Sequence, residues 1–479
     1  MSNLTIKNQR NLTMMTDLYQ LTMMYAYFKI GNHKSQAVFD MFFRHHGEIN
    51  YAVFAGLAQA ISYIKDLKFE QEDIDYLRSL NKFDEEFLNY LKNFKFSGDI
   101  FSAEEGEIVF PYQPILIVKA PLIEAQLIET AILNIINHQT LIATKASKIV
   151  HAANGKPVVE FGLRRAQGPD AAVYGSRAAI IGGCKGTSNV LAGQLFDIEP
   201  KGTHAHSFIL AHNSEQEAFD NFAQIYPNSC LLLVDTYDTL KSGMPAAINT
   251  FKKLKEKGHK PVGVRLDSGD LSYLSKQARI MLDNAGFNDC IIFASGDIDE
   301  NVIQSLSAQN AKIDVYGVGT KLITSNAAPS LGGVYKMSSI TINGVEEPRM
   351  KVSSSLEKMT NPCFKKVYRL YDENGMAKAD LICLHDEKLT KPLELSHQTA
   401  GWKKLVLEDY TARELLVPIF KNGKCVYQIK SAAESAKKAE NELLKFWEEY
   451  KRINIPQIYK VDISAALKKI KNEILIDLS

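Results

Sequence analysis

Four loops in the middle of the chain carry carboxylates and glycines at regular intervals: Asp235-Thr-Tyr-Asp, Asp267-Ser-Gly-Asp, Ser295-Gly-Asp and Gly317-Val-Gly-Thr. Each closes a short apolar run, at 231–234, 262–266, 291–294 and 313–318. Asp235, Asp267, Asp270 and Asp297 would therefore stand at strand ends, where carboxylates can meet sugar hydroxyls or a hydrated Mg²⁺. Gly296, Gly317 and Gly319 let backbone N–H groups approach a phosphate, and Thr320 adds a hydroxyl at a helix start. Arg265 can bridge an anion through two parallel N–H bonds. The set suits a phosphorylated sugar whose reacting carbon turns cationic. The competing reading makes the same residues turn formers and helix caps. It explains any single loop well, and four successive strand ends poorly.

Upstream, Phe161-Gly162-Leu163-Arg164-Arg165 follows apolar Val158 and Val159, so Phe161 also falls at a strand end. Its ring can stack on a flat heterocycle, and Arg164 or Arg165 can meet a carboxylate or phosphate. A core phenylalanine beside surface arginines is the plainer alternative. In Gly202-Thr203-His204-Ala205-His206, the two imidazoles share one face of an extended backbone, with His212 nearby. Three readings remain open for them: structural or surface histidine, metal ligand, and nucleophile toward a phosphoryl group. Met15-Thr16-Asp17-Leu18-Tyr19-Gln20 reads as a capped helix start, with Thr16 or Asp17 as the cap.

The elements that must position these groups follow from hydrophobic period. Leu18, Leu21, Met24, Tyr25 and Phe28 recur at helical spacing and predict a helix over 12–30. A strand is expected at 36–45, several helices over 54–95, a small β-meander over 97–121 and an apolar helical segment over 121–146. From 157 to 336 strand, polar loop and helix repeat, with helices at about 243–258, 271–285 and 299–310. That alternation argues for parallel strands in a β/α barrel or doubly wound sheet, with chemistry at the strand C-terminal ends. Beyond 337 the chain turns β-rich, with hairpin signals at Asn343-Gly344, Asn374-Gly375 and Asn422-Gly423, then a charged helix over 431–451.

Composition sets outer limits. A chain of 479 residues calls for two or three domains, and 46% hydrophobic with 23% charged residues is a globular balance. A formal net charge of +1 gives no global field toward nucleic acid or an acidic membrane. The six cysteines lie far apart with no CxxC pair, which suggests reduced thiols rather than a zinc site or a disulfide framework. The N-terminal residues lack the apolar core of a signal peptide, and 114–136 is interrupted by Lys119, Glu124 and Glu129, so a cytoplasmic protein is expected.

The motifs together resemble the nicotinate phosphoribosyltransferases over most of the chain: MTDLYQLTM, EFGLRRAQGPDAA, GCKGTSNVLAG, KGTHAHSF, VDTYDT, GVRLDSGDL, ASGDID and YGVGTKLITS, in this order. The part after about 380 is less diagnostic. The resemblance implies an irregular α/β barrel of the type II phosphoribosyltransferases, with an N-terminal α/β domain and a C-terminal extension. On that basis the domains would be 1–130, completed by strands from about 337–385, then 131–336 and 386–479. It implies transfer of phosphoribose from 5-phosphoribosyl 1-pyrophosphate to nicotinate, coupled to ATP hydrolysis through a phosphohistidine at His206, with Mg²⁺. A homodimer is implied, with Tyr19 reaching from the neighbouring subunit to stack on nicotinate opposite Phe161. Arg164 and Thr203 would flank the ring and its carboxylate, and Arg265 would contact nicotinate or the donor. Asp235 and Asp267 would serve the ribose or Mg²⁺, and Gly296, Gly319 and Thr320 the 5-phosphate. Arg165, Asp17 and Asp297 have less defined roles. Nicotinamide phosphoribosyltransferase shares several of these strand-end motifs and is the rival activity.

Overall fold

The computed structural model describes residues 11–45, 49–353, 355 and 358–477. The chain divides into two compact units, Lys145–Asn326 and the combination of Met1–Thr144 with Ala327–Ser479. The stretch after 386 thus groups with the N-terminal part of the chain.

In the unit Lys145–Asn326 five parallel strands lie in the order Val158–Glu160, Val315–Val318, Ile291–Gly296, Gly263–Leu266, Leu231–Leu233. Their short, almost wholly buried apolar runs are those of a parallel sheet covered by helices. Helices Met244–Glu256, Leu271–Asn284 and Glu300–Ala308 follow three of the strands. The two sheet edges do not stay open. Thr187 bridges Glu160 and Pro200 bridges Thr187, both in parallel sense, and Lys201 N donates to Thr187 O at 2.8 Å. A few residues on, Thr203 Oγ1 donates to Leu231 O, and Leu233 N donates to His204 Nε2 at 3.2 Å. The stretch 200–204 therefore touches both edges and closes the sheet into an irregular α/β barrel.

The other unit is built on a seven-stranded sheet and a six-stranded sheet. The first draws strands from three stretches of sequence: Gln36–Phe43, Asp99–Ser102 and Leu116–Pro121; then Gly333–Ile342 and Val345–Pro348; then Val417–Lys421 and Lys424–Cys425. Asn343-Gly344 and Asn422-Gly423 form the hairpin turns read from the sequence, with φ of 51° and 81°, and 48° and 73°. At Asn374-Gly375 only Gly375 takes positive φ, and the longer turn runs from Asp372 to Met376.

Three elements differ from expectation. The first helix spans Leu18–Lys29, because residues 12–16 are turned by Met15 N to Leu12 O and Thr16 N to Met14 O bonds. The meander over 97–121 loses its middle strand: Ile108–Val109 pairs with Ala52–Val53 instead. The helix over 431–451 breaks into Ala432–Leu443 and Glu448–Lys451.

Candidate active site

Register decides which side chains meet. Leu233 lies opposite Arg265, Arg265 opposite Phe293, Ser295 opposite Gly317, and Gly317 opposite Val159. Because alternate residues share a face, Phe161, Asp235, Arg265, Asp267, Phe293, Ser295 and Gly317 all belong to one side of the sheet near its C-terminal edge.

The polar members of this set are bonded in a chain. His206 Nε2 lies 3.2 Å from Asp235 Oδ1, and the Asp235 side chain is only 2% exposed while that of His206 is 40%. Asp235 Oδ2 accepts from Asp267 N at 2.9 Å and Ser268 Oγ at 2.6 Å. Asp267 Oδ1 accepts from Arg265 Nη2 at 2.8 Å and from Ser295 Oγ, and Ser295 Oγ accepts from Arg265 Nε at 2.8 Å. Burial alone would push the Asp267 carboxyl up, but the Ser295 and Arg265 hydrogen bonds and the guanidinium charge hold it below the usual carboxylate range.

The aromatic wall continues from the arginine. The Arg265 guanidinium lies 5.4 Å from the Phe161 ring centre, and Phe161 stacks on Phe293 at 5.6 Å with planes 16° apart. A Cβ at Gly317 would come within 2.7 Å of Phe293 and 2.8 Å of Phe161, so only glycine leaves the two rings room. Behind Phe161, the buried Glu160 carboxylate accepts from Gly162 N, Thr187 Oγ1 and Ser176 Oγ, which fixes the backbone on either side of the ring.

Gly296 and Gly319 flank this face: a Cβ at Gly296 (φ 117°) would meet Asp267 O at 2.7 Å, and one at Gly319 would meet Phe161 O at 3.2 Å. Thr320 opens the short helix Thr320–Ile323. Arg164 and Arg165 lie exposed in the turn Leu163–Arg165, and Asp297 is exposed. The Thr203 hydroxyl donates its proton to Leu231 O, so toward a ligand its side chain can only accept while its main-chain N–H can donate. Asp270 is a helix cap, accepting from Tyr273 N at 2.9 Å, as the plainer reading of these loops held. Tyr19 belongs to the other unit, 48% exposed on helix Leu18–Lys29, and Asp17 accepts there from Thr130 Oγ1 at 2.9 Å.

The two imidazoles of the Gly-Thr loop separate in role. His204 is buried among Phe208, Phe219 and Phe222, with Nε2 taken by Leu233 N; among the described residues no group of three or more His, Cys, Asp or Glu could hold a metal. His212 Nδ1 meets Phe208 O at 2.8 Å. Burial lowers the His204 pKa to about 4. Because the unfolded chain takes up that proton first, stability is complete above about pH 6.5 and falls as pH drops toward about 4. His204→Gln keeps an acceptor for Leu233 N without the titration. Denaturation midpoints measured from pH 7 to 4 should therefore fall less steeply in the variant; equal slopes would show that His204 is not a source of the acid sensitivity.

Ser295, Ser268, Glu160 and Phe293 were not singled out from the sequence. Ser295 had a signal: it stands two residues after Phe293 on the strand whose end was already marked.

Family models match three consecutive stretches: the nicotinate phosphoribosyltransferase N-terminal domain over residues 14–137, the nicotinate phosphoribosyltransferase family over 157–364, and its C-terminal domain over 364–471. The nicotinate phosphoribosyltransferase of Bacillus subtilis is 46% identical over 458 residues, covering 95% of this chain and 93% of the relative. That of Dictyostelium discoideum is 36% identical, covering 95% and 86%. The crystal structure of human nicotinic acid phosphoribosyltransferase superposes with a TM-score of 0.85 at 28% identity, over 96% of this chain and 99% of the human one. A nicotinate-nucleotide pyrophosphorylase from Pyrococcus furiosus, 24% identical, shares the fold with a TM-score of 0.71 over 92% and 97% of the two chains. With near-complete coverage by a relative of this identity, the chain belongs to the nicotinate phosphoribosyltransferase family.

Proposed function

We propose that this enzyme joins nicotinate to the phosphoribosyl group of 5-phosphoribosyl 1-pyrophosphate, releasing pyrophosphate, and couples the transfer to ATP hydrolysis through His206. The observation that carries the reading is the bonded run His206–Asp235–Asp267–Arg265 beside the Phe161–Phe293 stack, all at one end of the barrel strands. The nicotinate ring nitrogen forms the new bond to the anomeric carbon as the bond to pyrophosphate breaks. Phe161 supplies the ring face, Arg265 and Arg164 the positive charge, and Asp267 the carboxylate for the cationic ribose. Gly296, Gly319 and Thr320 offer N–H groups and a hydroxyl to the 5-phosphate. No strong base is needed because the pyridine nitrogen is already a nucleophile, so positioning and charge stabilisation do the work.

The carboxylates fit Mg²⁺ as an ion carried on the donor's phosphates. Both Asp235 oxygens are engaged, but Asp267 Oδ2 accepts no hydrogen bond among the described residues. Asp267, with the exposed Asp297, would hold it, and the ion would offset charge on the departing pyrophosphate.

ATP enters as a third substrate. With Asp235 accepting at Nε2, the proton sits there and the lone pair is left on Nδ1. Attack by Nδ1 on the terminal phosphorus forms the N–P bond and releases ADP; water later takes the phosphoryl group. A phosphorylated form that binds both substrates more productively lets hydrolysis shift the synthetic equilibrium. Tyr19 would complete the aromatic clamp from a second subunit of a homodimer. The test is incubation with nicotinate, phosphoribosyl pyrophosphate and γ-labelled ATP. Nicotinate mononucleotide and acid-labile label on the protein are expected; faster turnover of nicotinamide than of nicotinate would overturn the substrate assignment.

A further inference from the structure

Within the unit formed by Met1–Thr144 and Ala327–Ser479 lies a cavity of about 470 Å³, in the range of small-molecule sites. Pro111, Tyr112 and Ile458 give it an apolar wall, and the buried Lys471 lines it. Lys471 Nζ donates to Asn361 Oδ1 at 2.8 Å and to Gln398 O at 3.2 Å, both neutral acceptors. Among the described residues it has no carboxylate partner. The one charge that acts on it appreciably is another cation, Lys365, which is itself paired with Asp40 at 2.8 Å. Burial and Lys365 bring the Lys471 ammonium down to about 8, which leaves it mostly charged at neutral pH.

A buried ammonium without a counter-charge is costly, and proteins rarely keep one unpaired. Among the described residues the cavity contains one acid, Asp462, which burial pushes up; His397 and Lys460 are the charges that answer it, not Lys471. Lys403 adds a further exposed cation to the lining. The lining is therefore rich in positive charge, and among the described residues its buried ammonium has no carboxylate partner.

We propose that this cavity is a second small-molecule site, taking an organic anion whose acidic group pairs with Lys471 while a compact apolar body lies on Tyr112, Pro111 and Ile458. Carboxylates and phosphate monoesters share this chemistry. Calorimetric titration of the full chain with 3-phenylpropionate, phenyl phosphate and neutral 3-phenylpropanol separates them. At least one acid should bind, the alcohol about 10- to 100-fold more weakly, the worth of a charge-assisted hydrogen bond. Lys471→Met should weaken the acid by the same factor while leaving nicotinate turnover unchanged, and saturating nicotinate and phosphoribosyl pyrophosphate should not displace the acid. Should Lys471→Met not fold, the exposed Lys403→Glu is expected to weaken the acid instead. Binding of neither acid, equal binding of the alcohol, undiminished binding by the variants, or displacement by the substrates each overturns the proposal.

Discussion

His206→Ala is expected to lose ATP coupling altogether while retaining slow, ATP-independent transfer. Coupling free energies of about 1–3 kcal/mol correspond to roughly 5- to 150-fold, so ATP should stimulate the parent protein by a factor in that range and the variant by none. No acid-labile label should appear on the variant. A second substitution sharpens the assignment, because it spares the imidazole. Asp235 Oδ2 must accept from Asp267 N and Ser268 Oγ, so in Asp235→Asn the amide oxygen takes that place and the NH₂ turns to His206. Nε2 then becomes the acceptor, the proton moves to Nδ1, and the nucleophilic lone pair is blocked. Loss of the orienting carboxylate in a comparable histidine site costs on the order of 10⁴ in rate, and labelling of Asp235→Asn should fall by about 10²–10⁴. Normal labelling of His206→Ala would remove His206 from the phosphoryl step, and normal labelling of Asp235→Asn would remove Asp235 from the role of setting its tautomer.

The legible part of this site was its strand-end chemistry. Asp235, Asp267, Arg265 and Phe161 announced themselves because each sits where an apolar run stops, and parallel strands bring such ends together. What one sequence cannot give is register across non-adjacent strands. Val158–Glu160 pairs with Val315–Val318, more than 150 residues away in the chain, so Gly317 could be seen as a phosphate glycine and not as the gap between two rings. Ser295 stands on a strand end that the sequence marks, but its value comes from lying between Arg265 and Asp267, which register alone reveals. The two histidines show a further limit. Their spacing is symmetric, yet His204 lies under three phenylalanines supplied by the two helices that follow it, while His206 faces Asp235. Tyr19 was invisible to composition and spacing, since an exposed tyrosine on an amphipathic helix carries no chemical signal until a partner for it is known.

The largest stability effect should come outside the Lys145–Asn326 unit, at Arg369. Its guanidinium is fully buried, donating to Asp380 through Nε at 2.9 Å and Nη2 at 2.8 Å, to Glu107 at 2.9 Å and to Ile108 O at 2.6 Å. It also lies 4.9 Å from the Phe446 ring centre. Glu107 keeps Arg413 and Lys438 if Arg369 is removed, but among the described residues the Asp380 side chain keeps only the Tyr459 hydroxyl at 3.0 Å. Arg369→Met should thus leave one buried carboxylate uncompensated and cost about 3–5 kcal/mol. For a unit of this size that lowers its melting transition by roughly 5–8 °C. The sign of the pH dependence is diagnostic. Burial already pushes the Asp380 carboxyl up, and Arg369 is the cation that pulls it down among the described residues, so without it the folded pKa rises further above the unfolded one. The folded variant then binds the proton more tightly than the unfolded chain, and the deficit shrinks as pH falls. The double variant Arg369→Met with Asp380→Leu, which removes both charges, should recover part of the loss at neutral pH. If the single variant melts within a degree or two of the parent, or its deficit grows on acidification, this pair does not secure the joint between the N- and C-terminal stretches of that unit.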